Sequence, residues 1–219
     1  MNREEILKRV IATNIPNYYV TDKECENLYY KSLMNGVPEV LIGPSSSCVA
    51  ERFHGKGIET GITVSYPAGT AYPEVKAEEI RSYEQENNPA DAYYVTAAVG
   101  YFMSGHQENL VQEMQMCVEA TKSPVYFFIE AAEMEEGHME TVCRTAKETG
   151  VKGIVVSTAF MPYDIKRPSV EEIRRLRKFA GGELETIAFG PFDTPEKVEC
   201  VLEAGADKII LNGIDFLIY

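Results

Sequence analysis

The chain has 219 residues and a net charge of −13, with 21 Lys and Arg against 34 Asp and Glu. Its length and its 45% hydrophobic share predict one globular domain covering residues 1–219. A negative charge of this size repels phosphate backbones, so nucleic acid is excluded as an expected partner.

The chain also shows no targeting or membrane pattern. No apolar run approaches the ~20 residues that cross a bilayer, and the charged N-terminal segment has no signal-peptide core. We therefore expect a cytoplasmic protein with no membrane partner. The five cysteines are widely spaced and odd in number, which predicts neither a disulfide framework nor a zinc site.

Short runs rich in β-branched and aromatic residues alternate with amphipathic helical stretches along the whole chain. The runs are nearly continuously apolar, which is typical of parallel strands covered by helices. A weak first strand is predicted at 17–20. The other seven are VPEVLIG (37–43), GITVSYP (61–67), ADAYYVTAAVG (90–100), SPVYFFIEAA (123–132), VKGIVVST (151–158), LETIAFG (184–190) and ADKIILN (206–212).

Eight strands alternating with helices over roughly 200 residues predict a single (β/α)₈ barrel. An open doubly wound sheet is the alternative, but no G-x-G-x-x-G follows any strand. Predicted helix starts include Thr21, Ser169 and Thr194, and predicted ends include Gly150, Gly181 and Gly205. Only six residues follow Gly213, so the last helix is nearly absent. We expect a second copy of the chain to cover that side, giving a homo-oligomer.

Three stretches in the first half of the chain have distinctive spacing. They are VSYPAG (64–69), PEVKAE (73–78) and GYFMSG (100–105). Together they resemble the deoxyribose-phosphate aldolase family, which has G-F-P-L-G, then x-x-E-V-K-A-x-E, then G-x-L-K-S-G after strand four. The resemblance runs from about Asp22 to Gly213 and implies a barrel of the aldolase type.

This chain departs from the family pattern at the positions that carry the family's catalytic residues. The family carries its Schiff-base lysine on strand six, in a run like F-V-K-T-S-T-G, and Val155 stands at that position here. Tyr94 replaces the second aspartate of the strand-four run A-D-E-I-D-M-V. Ile187, or Gly190 with a shifted gap, aligns with the second active-site lysine. The resemblance therefore implies a scaffold without the family's imine chemistry.

The family's phosphate clamp is also altered. Its glycine pair becomes Gly190-Pro191, and proline removes a backbone donor, while its S-S-G loop becomes 211–213. We therefore expect a ligand less highly charged than a sugar phosphate. No other lysine is placed to take over, because Lys152 and Lys208 lie at the entering ends of strands six and eight, whereas barrel active sites lie at the strands' carboxyl ends.

Strand alternation, with the family's inward positions as a guide, predicts which residues face the barrel mouth. Glu130 and Tyr94 are the candidate acid/base residues, although Glu130 also fits a structural role that accepts hydrogen bonds from neighbouring strand ends. His106 and His138 match no metal-binding spacing, so no metal and no cofactor are expected. The candidate ligand-binding residues are Ser65, Thr96, Tyr126, Ser157, Gly190, Asn212 and Gly213.

Two functions remain open at this point. The first is a lyase or isomerase that acts on a small hydroxylated or carbonyl compound without a Schiff base. The second is a catalytically inert barrel that binds a small ligand or assembles with another protein.

Overall fold

The computed structural model describes residues 1–17, 19–85, 90–160 and 166–218. Within these ranges eight parallel strands close into a barrel in chain order, and the last strand pairs with the first. The predicted (β/α)₈ barrel is confirmed. The strands are β1 (Val10–Thr13), β2 (Glu39–Ile42), β3 (Glu59–Val64), β4 (Ala92–Thr96), β5 (Val125–Phe128), β6 (Gly153–Val155), β7 (Glu185–Phe189) and β8 (Lys208–Asn212).

Helices surround the barrel, and several begin where the capping residues predict. Thr21 and Ser169 each form a reciprocal capping box with a glutamate three residues later, and Thr194 caps the helix that starts at Pro195. The helices are α1 (Arg3–Leu7), α2 (Asp22–Asn35), α3 (Ser47–Ala50), α4 (Pro73–Gln85), α5 (Val99–Met103), α6 (Gln107–Glu119), α7 (Glu136–Thr149), α8 (Val170–Ala180), α9 (Pro195–Glu203) and α10 (Asp215–Ile218).

The first strand lies earlier than predicted. The sequence predicts it at 17–20, which is wrong: Asn17 and Tyr19 lie in turns, and Tyr18 is outside the described residues. The strand is Val10–Thr13, a run of four buried residues that pairs with β2 and β8. The N-terminal helix ends at Leu7 after a capping box at Asn2, and this early end frees the apolar run for the sheet.

The alternation of side chains divides the core into two layers. One set of residues packs between the strands and the helices, as Val40, Ile62 and Ile154 do. The other set fills the inside of the barrel, so the interior is packed rather than open. That inner set is Ile11, Leu41, Ala92, Tyr94, Tyr126, Phe128, Val155, Ile187, Phe189 and Ile210.

Two further features concern the outside of the molecule. The last helix, α10, has only four residues, in agreement with the prediction of a short final helix. Among the helices of the described ranges, none is both long enough and apolar enough to cross a membrane.

Candidate functional site

Glu130 lies two residues beyond the end of β5 and connects the carboxyl ends of β5 and β6 through hydrogen bonds. Its Oε2 accepts a hydrogen bond from Ser157 Oγ at 2.9 Å. Its Oε1 accepts from Thr158 N at 3.0 Å and from Thr158 Oγ1 at 2.6 Å. The side chain is half-buried, and no Lys, Arg or His of the described ranges forms an ion pair with it. The mouth thus holds a carboxylate that hydroxyl groups position and no cation neutralises.

The floor of the mouth beside Glu130 is apolar. Val155 and Ile187, which pair across β6 and β7, are both fully buried. Phe128 and Phe189 pack next to them, with ring centroids 6.3 Å apart. Val155, the residue that the resemblance aligns with the family's Schiff-base lysine, therefore lies inside a cluster of buried apolar side chains.

Tyr66 covers this floor, a role that the sequence pattern did not reveal. Its ring lies 5.7 Å from that of Phe128, and its hydroxyl donates to the Thr158 carbonyl at 2.8 Å. Burial, and then the nearby Glu130 charge, raise the pKa of the Tyr66 hydroxyl. Ser65, the predicted ligand-binding residue, has φ 56, so regular strand alternation stops before it. Its N–H donates to Glu79 on α4.

Tyr94 and Tyr126 lie inside the barrel as predicted, but their hydroxyls point away from the mouth. Tyr94 donates to Glu39 Oε1 at 2.5 Å, and Tyr126 donates to Glu185 Oε2 at 3.3 Å. Both carboxylates belong to the first residues of their strands, at the amino end of the barrel. The expectation that these two hydroxyls serve the mouth is therefore wrong, because both long side chains reach toward the opposite end.

The two tyrosines join a polar network that we call the amino-end network: Glu39, Tyr94, Tyr126, Glu185 and Lys208. Lys208 Nζ lies 3.5 Å from Glu39 Oε2 and 3.3 Å from Glu185 Oε2. Burial, followed by the Glu39 charge, raises the pKa of the Tyr94 hydroxyl well above its usual range. Tyr94 is therefore not poised to exchange protons.

Two small residues make room for this network. A Cβ added to Gly61 would lie 2.7 Å from the Tyr94 ring and 3.1 Å from a Glu39 oxygen. A Cβ added to Gly153 would lie 2.6 Å from the Glu185 carbonyl oxygen. The sequence therefore places glycine where the packed interior leaves no space for a side chain.

The remaining predicted ligand-binding residues divide between different parts of the carboxyl-end face. Thr96 is buried at the end of β4, and its hydroxyl has no partner within the described ranges. Gly190 and Asn212 line an open cavity of about 360 Å³. Asn212 and Gly213 line a second cavity of about 290 Å³ toward α2. Asn212 is thus the link between the two cavities.

Arg167 is a site residue that sequence reasoning missed. It lines the cavity of Gly190 and Asn212, and its guanidinium has no partner among the described residues. Its only signal in the sequence is a basic residue in the loop after strand six, on the active-site face. Because Arg167 is exposed and lines this cavity, its charge gives the mouth a group that attracts anions.

The two lysines nearest the barrel core are already engaged. Lys76 on α4 is fully buried and donates to the Gly69 carbonyl at 2.7 Å, to the Thr96 carbonyl at 2.6 Å and to the Glu113 carboxylate. Burial alone would lower the pKa of Lys208, but Glu39, Tyr126 and Glu185 together raise it. Both amino groups are therefore held by carboxylates, and that of Lys76 also by two backbone carbonyls.

The histidines on this face pack against aromatic rings. His106 stacks on Tyr101 with ring centroids 3.9 Å apart, and His138 lies edge-on to Phe102 at 5.6 Å. In the part of the chain that the structure describes, no three His, Cys, Asp or Glu side chains are grouped so that they could hold a metal ion.

The closed barrel with its site at the carboxyl ends defines the class: a (β/α)₈ barrel of the aldolase type. No family model matches the chain. It is 27% identical to the deoxyribose-phosphate aldolase of Methanothermobacter thermautotrophicus over 208 residues, which cover 94% of this chain and 91% of that protein. It is 25% identical to the same enzyme of Desulfitobacterium hafniense over 193 residues, 86% of each chain.

Solved structures give the same result for the fold. The tetrameric deoxyribose phosphate aldolase of Aeropyrum pernix matches with a TM-score of 0.88 at 18% identity, over 99% of this chain and 91% of that one. The aldolase QR15 matches with a TM-score of 0.83 at 21% identity, over 96% and 91%. The resemblance to the deoxyribose-phosphate aldolases is confirmed.

Proposed function

We propose that this chain is a lyase or isomerase that acts on a small hydroxylated or carbonyl compound without forming a Schiff base. Its similarity to deoxyribose-phosphate aldolases supports the reaction class. The proposal depends on two neighbouring features of the mouth. Glu130 is half-buried and has no ion-pair partner in the described ranges, and the floor at Val155 is apolar.

The absence of an imine step is supported by the surroundings of the two aligned positions. Val155 and Ile187 carry alkyl groups that cannot form an imine, and both are fully buried. Lys76 and Lys208, the lysines nearest the core, are held by carboxylates. A Schiff base needs an amine that can reach the substrate, and the contacts of both amino groups hold them away from the mouth.

Glu130 would supply the acid/base chemistry. With its carboxylate held by Ser157 and Thr158, it can take a proton from a substrate hydroxyl or from the carbon next to a carbonyl. Returning that proton to the former carbonyl carbon, while the proton of the adjacent hydroxyl moves to the carbonyl oxygen, gives an isomerisation. In a lyase reaction Glu130 instead removes the proton of a hydroxyl β to the carbonyl, the bond between the α and β carbons breaks, and the β carbon leaves as an aldehyde. The electron pair of the broken bond forms the enolate of the other fragment, whose α carbon then takes the proton back from Glu130. Tyr94 takes no part because its hydroxyl lies on Glu39.

Proton exchange tests this role without knowledge of the substrate. Dihydroxyacetone, glycolaldehyde and acetaldehyde would be incubated with the protein in D₂O, and loss of their carbon-bound protons followed by NMR. We expect exchange with the parent and a loss of about 10²–10⁴-fold in Glu130→Gln, the usual contribution of a general base. Glu133→Gln is the matched control, since Glu133 lies three residues away and contacts Lys166 rather than the mouth. Equal exchange by parent and Glu130→Gln would contradict the proposal.

Imine formation is tested separately. The parent and Val155→Lys would be treated with acetaldehyde and borohydride and then analysed by mass spectrometry. We expect no adduct in the parent, while the variant serves as the positive control. A trapped adduct on any parent lysine near the mouth would overturn this part of the proposal.

The inert barrel is the second candidate, and one observation favours it. Both oxygens of Glu130 already accept hydrogen bonds, so the carboxylate also serves as a structural tie between β5 and β6. If the parent protein exchanges no carbon-bound proton of any probe, the hypothesis of a ligand-binding barrel replaces the hypothesis of an enzyme.

We also propose that the chain forms a homo-oligomer. The Aeropyrum pernix neighbour, which matches over 99% of this chain, is tetrameric. Light scattering coupled to size-exclusion chromatography should give a mass of at least twice 24.5 kDa. A monomeric mass at micromolar concentration would contradict this.

A further inference from the structure

A further cavity, separate from the two lined by Asn212, opens on the carboxyl-end face outside the barrel, and we call it the α5 cavity. It has a volume of about 470 Å³ and lies between the loop that precedes α4 and the helices α5 and α6. None of the residues that line the mouth cavity at Gly190 also lines the α5 cavity. Lys76, which binds Gly69 and Thr96, stands between it and the end of β4.

The floor of the α5 cavity contains a buried carboxylate. Glu113 lines the cavity although its side chain is only 3% exposed. It accepts hydrogen bonds from Lys76 Nζ and, at 3.3 Å, from Ala98 N. A carboxylate offers about four acceptor positions, so acceptor capacity remains on the cavity side. A charged group in this position is costly to bury unless its hydrogen-bonding capacity is used.

The paired ammonium group is turned away from the cavity. All three N–H bonds of Lys76 have acceptors, the side chain is fully buried, and Lys76 is not among the residues that line the cavity. A molecule in the cavity therefore meets the edge of the carboxylate and not the cation. Burial raises the pKa of the Glu113 carboxyl, and the Lys76 charge opposes this change.

The rim of the cavity is aromatic and exposed. Tyr72 is 78% exposed and Tyr101 is 48% exposed, and Pro73 and Val99 add apolar walls. Asn109 and Thr70 are neutral polar residues of the lining that can orient a ligand. Concave sites of this size, with apolar walls and few convergent polar groups, are typical of small-molecule binding.

We propose that the α5 cavity binds a compact aromatic amine, with its ammonium group on Glu113 and its ring beside Tyr72 and Tyr101. Aromatic rings pair favourably in offset or edge-to-face arrangements, and an ammonium–carboxylate hydrogen bond is stronger than a neutral one. The net charge of −13 adds a long-range preference for cations over anions. This site is independent of the function proposed for the mouth.

Three matched probes test the charge preference: benzylamine, benzyl alcohol and benzoate, titrated at pH 7 and followed by calorimetry and by backbone amide NMR shifts. We expect benzylamine to bind most tightly, benzyl alcohol more weakly and benzoate not measurably, with shifts at Val99, Gly100 and Asn109. Benzoate binding as tight as benzylamine binding, or shifts confined to other regions, would overturn the proposal.

Two variants test the contacts. Tyr72→Ala removes an exposed rim side chain and should weaken benzylamine binding about threefold or more. Tyr30→Ala removes a tyrosine on α2 that is 51% exposed and does not line the cavity, so it should leave binding unchanged. Glu113→Gln should weaken benzylamine about tenfold while affecting benzyl alcohol less. Glu113→Gln leaves Lys76 without its anionic partner and can therefore unfold the chain. If this variant does not fold, Tyr72→Ala alone tests whether the cavity binds benzylamine. Unchanged benzylamine affinity in Tyr72→Ala would then refute the site.

Discussion

Lys208 Nζ lies 3.5 Å from Glu39 Oε2 at the amino end of the barrel interior, while the other Glu39 oxygen accepts the Tyr94 hydroxyl. The carboxylate is only 3% exposed, whereas the lysine is 30% exposed. This contact links β8 to β2 across the first strand, so the amino-end network closes the end of the barrel opposite the mouth.

Removing the lysine should destabilise the fold. Lys208→Met leaves Glu39 and Glu185 without their shared cation, and we expect the free energy of unfolding to fall by about 3 kcal/mol. Lys152→Met is the control, because Lys152 also contacts Glu185 but is 52% exposed. An exposed pair of this kind contributes about 0–1 kcal/mol. Urea unfolding of both variants measures the difference, and equal losses would show that burial of the network contributes nothing.

Stability should also depend on pH through Glu39. Burial raises the pKa of this carboxyl, and the Lys208 charge and the Tyr94 hydrogen bond offset the effect only in part. The folded state then holds the proton more tightly than the unfolded chain, whose pKa is about 4.3. The contribution of Glu39 to the free energy of unfolding therefore falls as the pH rises from about 4.3 through the folded pKa.

The measurement compares the parent with Glu39→Gln by urea unfolding at several values between about pH 4 and pH 8. The free energy of the parent minus that of the variant should decline as the pH rises. A difference that grows with pH would mean that attraction to Lys208 outweighs burial, and the direction assigned to Glu39 would be wrong.

The eight-strand barrel was predictable because each strand except the first is a compact apolar run. The first strand was misplaced because Val10–Thr13 directly continues an amphipathic N-terminal pattern, while the aromatic residues near Val20 have high strand propensity. Local propensity cannot decide between two such runs. The pairing of β1 with both β2 and β8 decides it, and that is a long-range contact.

The site was predictable only in part, for geometric reasons. Strand alternation correctly placed Tyr94 inside the barrel. Alternation does not predict, however, toward which end of the barrel a long inward side chain points. The carboxylate of Glu39 on another strand sets that direction. Alternation also failed at Tyr66, because the left-handed conformation of Ser65 interrupts the strand period just before it. Alternation placed Glu130 at the mouth because the residue lies only two positions beyond the end of a regular strand.

The charge of the mouth ligand can be tested through Arg167. Pro191 offers no N–H donor, so we expect deoxyribose to bind at least as tightly as deoxyribose 5-phosphate. Calorimetry with both compounds measures this for the parent and for Arg167→Ala. Tighter binding of the phosphorylated compound by the parent, lost in Arg167→Ala, would instead assign the phosphate to this guanidinium and refute the expectation.

Glu130→Gln separates the two candidate functions when stability and proton exchange are measured on the same variant. The amide keeps one acceptor oxygen but turns an NH₂ group toward donors on Ser157 or Thr158. We expect the free energy of unfolding to fall by about 1–3 kcal/mol, the cost of leaving a partly buried polar group without its partner. Ser157→Ala, which removes one donor and leaves the carboxylate, should cost less and should retain exchange. If Glu130 is the acid/base group, Glu130→Gln abolishes deuterium exchange at temperatures where circular dichroism shows it fully folded. A stability loss of this size, with no exchange by the parent on any of the three probes, would establish Glu130 as a structural tie and the barrel as catalytically inert.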